Sequence, residues 1–150
     1  MAEPEPGLRI TRVFDAPRGE VWKEWTEPDR FADWFGLRST PVPPESVSMD
    51  VRPGGAWRLT MSAGEQHPEI HWAGEYREVV EPERLVFTVT DRPDGNEYEL
   101  VSVELTDLGD GRTRMELEQT GGHLTPEEYE GAGQGWGAFF DDLAARIAGR

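Results

Sequence analysis

The stretch Thr125-Pro-Glu-Glu-Tyr-Glu-Gly-Ala-Gly-Gln-Gly-Trp-Gly-Ala-Phe-Phe-Asp-Asp-Leu-Ala-Ala-Arg-Ile147 decides the fold. It opens with a capping box: Thr125 stands three residues before Glu128, with Pro126 at the first helical position, where a missing N–H costs nothing. Leu124 and Tyr129 supply a hydrophobic staple across that start. Beyond it Tyr129, Ala132, Trp136, Phe140, Leu143 and Ile147 recur at the helical period and define one apolar stripe. Glu130, Gln134, Asp141, Asp142 and Ala145 fall away from it. Glu127, Glu128 and Glu130 near the start and Arg146 near the end match the helix dipole. A long amphipathic C-terminal helix follows, and it requires an apolar surface to lie on.

Working backwards from the helix, the period drops to two. Thr113, Met115, Leu117 and Gln119 alternate with Arg112, Arg114, Glu116 and Glu118, a strand with one covered face and one wet face. Val101, Val103 and Leu105 form the strand before it, joined through the turn Gly109-Asp-Gly111. Leu85, Phe87 and Val89 precede these. Ile70 and Trp72 begin another strand, which Gly74 is expected to interrupt with a bulge before Tyr76–Val80. Trp57, Leu59 and Met61 alternate after the turn Arg52-Pro-Gly-Gly55, and Val47, Met49 and Val51 alternate before it. Further upstream Thr26 with Pro28 starts a short helix carrying Phe31, Trp34 and Phe35, and Gly36 stops it. Val21, Trp22 and Trp25 have the spacing of another short helix. Leu8, Ile10 and Phe14 give a first strand with one irregularity. Residues 1–7 read as a disordered tail and 8–149 as a single domain.

Composition narrows the function. The chain has 150 residues, 30 acidic against 15 basic, and a net charge of −15. Such a surface repels a phosphate backbone and an anionic membrane, so neither nucleic acid nor membrane is an expected partner. Lys23 is the only lysine, and zero cysteines exclude thiol nucleophiles, disulfides and cysteine metal sites. No apolar run approaches the roughly 20 residues of a membrane span. The first residues lack a basic and an apolar leader region, so a cytoplasmic location is expected.

Several strings, in order along the chain, resemble one family. They are Arg12-Val-Phe-Asp-Ala-Pro17, Val21-Trp22 with Trp25-Thr26, Met49-Asp-Val-Arg-Pro-Gly-Gly55, Gly74-Glu-Tyr-Arg77, Pro82-Glu-Arg-Leu-Val-Phe87 and Gly135-Trp136-Gly137. Together with the element order they resemble the START-like (SRPBCC) superfamily, in the bacterial branch named after the activator of Hsp90 ATPase. The resemblance implies an α+β helix-grip (START/Bet v 1-like) fold: a curved antiparallel sheet, two short helices, and a long C-terminal helix packed across it. It also implies a cavity between sheet and long helix in many members. A link to stress response and a chaperone partner come with the family name. The resembling co-chaperones have two domains, of which this chain corresponds to the second, and it lacks the Asn-rich, Trp-containing string of their first.

The large apolar residues on inward positions are the candidate lining: Trp34, Phe35, Met49, Trp57, Leu59, Met61, Trp72, Phe87, Met115, Trp136 and Phe140. Gly133 and Gly137, on one flank of the helical stripe, are candidates for leaving space beside it. His71, Glu75 and Gln119 are the inward polar candidates, the first two provided the bulge at Gly74 reverses their facing. Aromatic walls with a few convergent polar groups define a small-molecule site. A metal is not expected from His67-Pro-Glu-Ile-His71. Proline replaces the glutamate of the zincin pattern, and residues four apart on a strand lie roughly 13 Å from each other. No serine has a nucleophile-elbow context, and the glycines at 131–137 do not form a dinucleotide fingerprint. Asp50, Arg52, Arg77 and Arg84 read as ion pairs fixing hairpins. The sequence therefore predicts no catalytic residues, no cofactor, and a monomer or homodimer that holds a small hydrophobic, aromatic or polyketide-like molecule. A chaperone-cofactor role and an enzyme built on the same cavity are the alternatives.

Overall fold

The computed structural model describes residues 7–36, 41–62, 69–95, 97–121 and 124–149. Strand β1 (Gly7–Phe14) leads into the short helices α1 (Arg18–Thr26) and α2 (Pro28–Trp34). Strands β2 (Ser48–Met49), β3 (Ala56–Met61), β4 (Ile70–Val80), β5 (Arg84–Val89), β6 (Glu99–Asp107) and β7 (Thr113–Thr120) follow as a meander, and α3 (Pro126–Ala148) ends the chain. All seven strands form one antiparallel sheet in the order β1-β7-β6-β5-β4-β3-β2. The expected α+β helix-grip architecture is what the chain adopts.

The period-two pattern orients the sheet. On β6 the side chains of Val101, Val103 and Leu105 are buried, and on β7 those of Thr113, Met115, Leu117 and Gln119. The outward face carries the charges, Arg114, Glu116 and Glu118 on β7 among them, and some pair across strands, as Arg84 of β5 does with Glu78 at 2.9 Å and with Glu104. Arg52 with Asp50 at 2.8 Å, and Arg77 with Glu75 at 3.9 Å, complete the expected hairpin ion pairs. These exposed pairs contribute little stability, about 0–1 kcal/mol each. The long helix closes the inward face. Its capping box is formed on both sides, with the Glu128 amide donating to Thr125 Oγ1 at 3.1 Å and the Thr125 amide to Glu128 Oε1 at 3.0 Å.

Four local expectations change. Gly7, read as tail, is the first residue of β1 and is paired with Thr120. The strand at 47–51 shrinks to Ser48–Met49. β1 has no irregularity, because Arg12 takes the inward position between Ile10 and Phe14. There its guanidinium donates to Asp141 Oδ1 at 2.7 Å and to the Gly137 carbonyl at 3.4 Å, fastening β1 to α3. Finally, the bulge in β4 falls between Tyr76 and Glu78, not at Gly74. Gly74 serves a different purpose: a Cβ there would stand 1.7 Å from the Thr88 carbonyl oxygen and 2.4 Å from Trp57 Nε1. The missing side chain lets the Trp57 indole cross β4 and donate to that carbonyl at 3.0 Å.

Candidate functional site

Aromatic rings meet on the concave face from every layer. Trp25 of α1 is their hub, with ring centroids 4.8 Å from Trp34, 6.0 Å from Trp136, 6.1 Å from Phe31 and Phe87, and 6.2 Å from Phe140. Phe35 is the second hub, 5.7 Å from Trp136, 5.1 Å from Phe139 and 6.1 Å from Trp72. Most of these pairs are tilted or edge-to-face, the arrangement that the ring quadrupoles favour, and each is worth about 0.5–1.5 kcal/mol beyond its area.

Of the predicted lining residues, Trp34, Phe35, Trp57, Leu59, Met61, Phe87, Met115, Trp136 and Phe140 are buried in this cluster, and Met49 and Trp72 are half-buried at its margin. Their indole nitrogens explain some of the order. Trp34 Nε1 donates to the Glu24 carbonyl at 3.0 Å, and Trp22 Nε1 to Glu81 Oε1 at 3.0 Å. Trp25 Nε1 and Trp72 Nε1 are buried with no hydrogen-bond partner among the described residues. An orphaned buried donor costs about 1–3 kcal/mol, so each such group calls for a reason.

A cavity of about 10 Å³ lies among Trp25, Phe31, Met49, Trp57, Tyr76, Leu85 and Phe87. That is room for no more than one water. It sits beneath α1 and α2, whereas the expected place was between the sheet and the long helix. Burial pushes the Tyr76 phenol well above the ordinary tyrosine range, with the negative charge of Asp50 adding to the shift, so this wall stays neutral. Trp25, Phe31, Tyr76 and Leu85 were not among the predicted lining residues. Trp25 and Phe31 carried the needed signal in the apolar stripe of each short helix, which had to face the same sheet.

Of the two glycines expected to leave space beside the helix, Gly133 does so, on the side of β1 and not over the aromatic interior. A Cβ at Gly131, Gly133 or Gly135 would meet nothing within 4 Å, and one at Gly137 would meet only Arg12 Nη2, at 3.6 Å. None shapes the interior. Gly133 instead borders an open groove of about 370 Å³ between β1 and the first half of α3, with Leu8, Ile10, Pro126 and Tyr129 along it and Arg9 and Glu130 at its rim.

Two polar expectations are corrected as well. Because the register of β4 is unbroken at Gly74, His71 and Glu75 stay on the outer face and are exposed. His71 Nδ1 lies 3.3 Å from Thr60 Oγ1, and Glu75 pairs with Arg77. An enzyme relying on either of them above a ligand has no geometric basis. Gln119 does point inward: it accepts from Trp136 Nε1 at 2.8 Å through Oε1 and donates through Nε2 to Glu99 Oε1 at 3.3 Å. Glu99, which the sequence reading did not single out, is itself buried. His67 lies outside the described residues. Among the described residues no group of three or more His, Asp or Glu side chains could hold a metal, and no helix is long and apolar enough to cross a membrane.

A curved antiparallel sheet gripping an aromatic interior with one long helix defines the helix-grip class. Within it, the chain belongs to the family of activator of Hsp90 ATPase homolog 1-like proteins, whose model matches residues 15–148. Protein CV1439 from Chromobacterium violaceum is similar over 96% of this chain and 98% of its own, with 25% identity and a TM-score of 0.80. The AHSA1 protein of Silicibacter pomeroyi has 20% identity and a TM-score of 0.79, covering 95% of this chain and 98% of its own. An HSP90 activator from Plasmodium falciparum has 17% identity and a TM-score of 0.73, covering 95% and 96% respectively, a likeness of fold alone. No curated protein matches the chain.

Proposed function

We propose that the chain binds a small hydrophobic molecule, aromatic or polyketide-like, on the concave face between the sheet and its helices. The observation that carries this reading is the lining itself. Rings from α1, α2, α3, β3, β4 and β5 converge there, and the indole N–H groups of Trp25 and Trp72 are buried without partners among the described residues. Trp25 borders the residual cavity, so an apolar ligand with one acceptor oxygen would satisfy a donor that the protein leaves open. Half-buried Met49, Trp72 and Phe139 form the margin through which such a ligand displaces side chains as it enters.

Thermal unfolding with a panel of flavonoid, steroid and acyl compounds tests the reading. A ligand at one hundred times its Kd stabilises a protein by about 2.7 kcal/mol. At about 2–4 °C per kcal/mol for a chain of this size, the midpoint should rise by several degrees. Quenching of the tryptophan emission by the same compound places it in the aromatic interior. A panel that leaves both the midpoint and the emission unchanged refutes the proposal.

A further inference from the structure

The concave face under Trp136 of α3 holds a polar relay whose direction is fixed by chemistry. Tryptophan can only donate, so Trp136 Nε1–H must donate its hydrogen bond to Gln119 Oε1, at 2.8 Å. That orients the Gln119 amide and turns its NH₂ toward Glu99, which accepts through Oε1 at 3.3 Å. The other carboxylate oxygen, Glu99 Oε2, has no partner among the described residues, although the residue is only 7% exposed. No arginine or lysine among the described residues pairs with it. Its place is made by Gly121: a Cβ there would lie 1.9 Å from Oε2, and the backbone has a φ of +153°, which favours glycine. Among the described residues the fold thus holds a carboxylate in a buried position, satisfies one oxygen, and gives the other no partner.

A buried carboxylate is costly unless it is paired and hydrogen-bonded. Two hydrogen bonds away, at the far end of the relay, the Trp136 ring stands 5.7 Å from Phe35. Such faces attract cations through their quadrupoles. The chain as a whole carries −15, a field that raises the local concentration of cations and repels anions. Carboxylate, ring faces and overall field favour the same sign of charge. The geometry points to an organic cation as the ligand: an apolar or aromatic amine whose ammonium is received by Glu99 Oε2 while its body lies among the rings. This rests on the proposed binding of a hydrophobic molecule and names its chemical class.

Three indole probes of matched size test it by titration of the full chain at pH 7: tryptamine (cation), tryptophol (neutral) and indole-3-acetate (anion). Tryptamine should bind at least about ten-fold more tightly than tryptophol, the lower end expected for a close, desolvated charge pair, with the acetate weakest. In Glu99→Gln the advantage of tryptamine should shrink to within about two-fold while tryptophol affinity holds, since only the charged contact is removed. Equal affinity of the native chain for tryptamine and tryptophol overturns the inference and leaves the hydrophobic site standing. A tryptamine preference that survives Glu99→Gln also overturns it, by assigning the preference to the overall charge. Binding of none of the three overturns the inference, while the reading on which it rests falls only if the flavonoid, steroid and acyl panel also fails to bind.

Discussion

From Trp136 to Leu143, α3 drives Trp136, Phe140 and Leu143 into the aromatic interior, where Phe140 meets Phe14, Trp25 and Trp34 at 6.1–6.4 Å. From Pro126 to Gly135 the same helix buries only Tyr129, carries three glycines against which nothing packs, and leaves a groove of about 370 Å³ over β1. One continuous helix thus has a half held by tertiary packing and a half held by its own cap. The contrast shows that helical continuity does not imply uniform stability. Local free energies follow buried apolar contact, which the second half has and the first half largely lacks.

The comparison can be broken at either end. Truncation of Phe140, fully buried and in contact with four other rings, should cost about 3–5 kcal/mol in denaturant unfolding, the range for a large aromatic in a close-packed core. A cost near 1 kcal/mol would mean that the second half is no better anchored than the first. Thr125→Ala removes the side-chain acceptor of the capping box, leaving the Glu128 amide without its Oγ1 partner, and should cost about 1 kcal/mol, because the first half has little else to hold its start. Gly133→Ala should stabilise by up to about 1 kcal/mol, since alanine is the better helix former and its methyl enters open space. Destabilisation by that methyl would instead show that the groove over β1 must stay clear.

The sequence made the second half of α3 and the sheet readable because both obey a simple period. Val101, Val103 and Leu105 announce an inward face, and the same alternation carried back one step places Glu99 inward and Leu100 outward. An acid followed by a leucine suggests the opposite facing, which masks that step. Arg12 was hidden for the same reason: a charge at an inward position looks like a break in the strand until its partners on α3, Asp141 and the Gly137 carbonyl, are known. Gly74 carried a true signal with two meanings. Glycine in a strand marks either a bulge or a close approach, and only the position of the Trp57 indole distinguishes them. The helical glycines were legible as a cost but not as a location, since helical phase alone cannot say which neighbour lies opposite each flank. The extent to which the rings fill the interior depends on rotamers of a dozen large side chains, which no periodicity encodes.

The sheet has two outer strands, and they are guarded by different means. β2 at one edge is two residues long, too short to template another chain. β1 at the other edge runs for eight residues with one side of its backbone unpaired by the sheet, and it carries charge at Arg9 and Arg12, each engaged with a carboxylate on a neighbouring element. The guanidinium that ties β1 to α3 therefore also keeps an arginine on the border most open to strand addition. Resistance to edge-to-edge aggregation in a crowded solution rests on that border, and so on two side chains that a census of the interior would pass over.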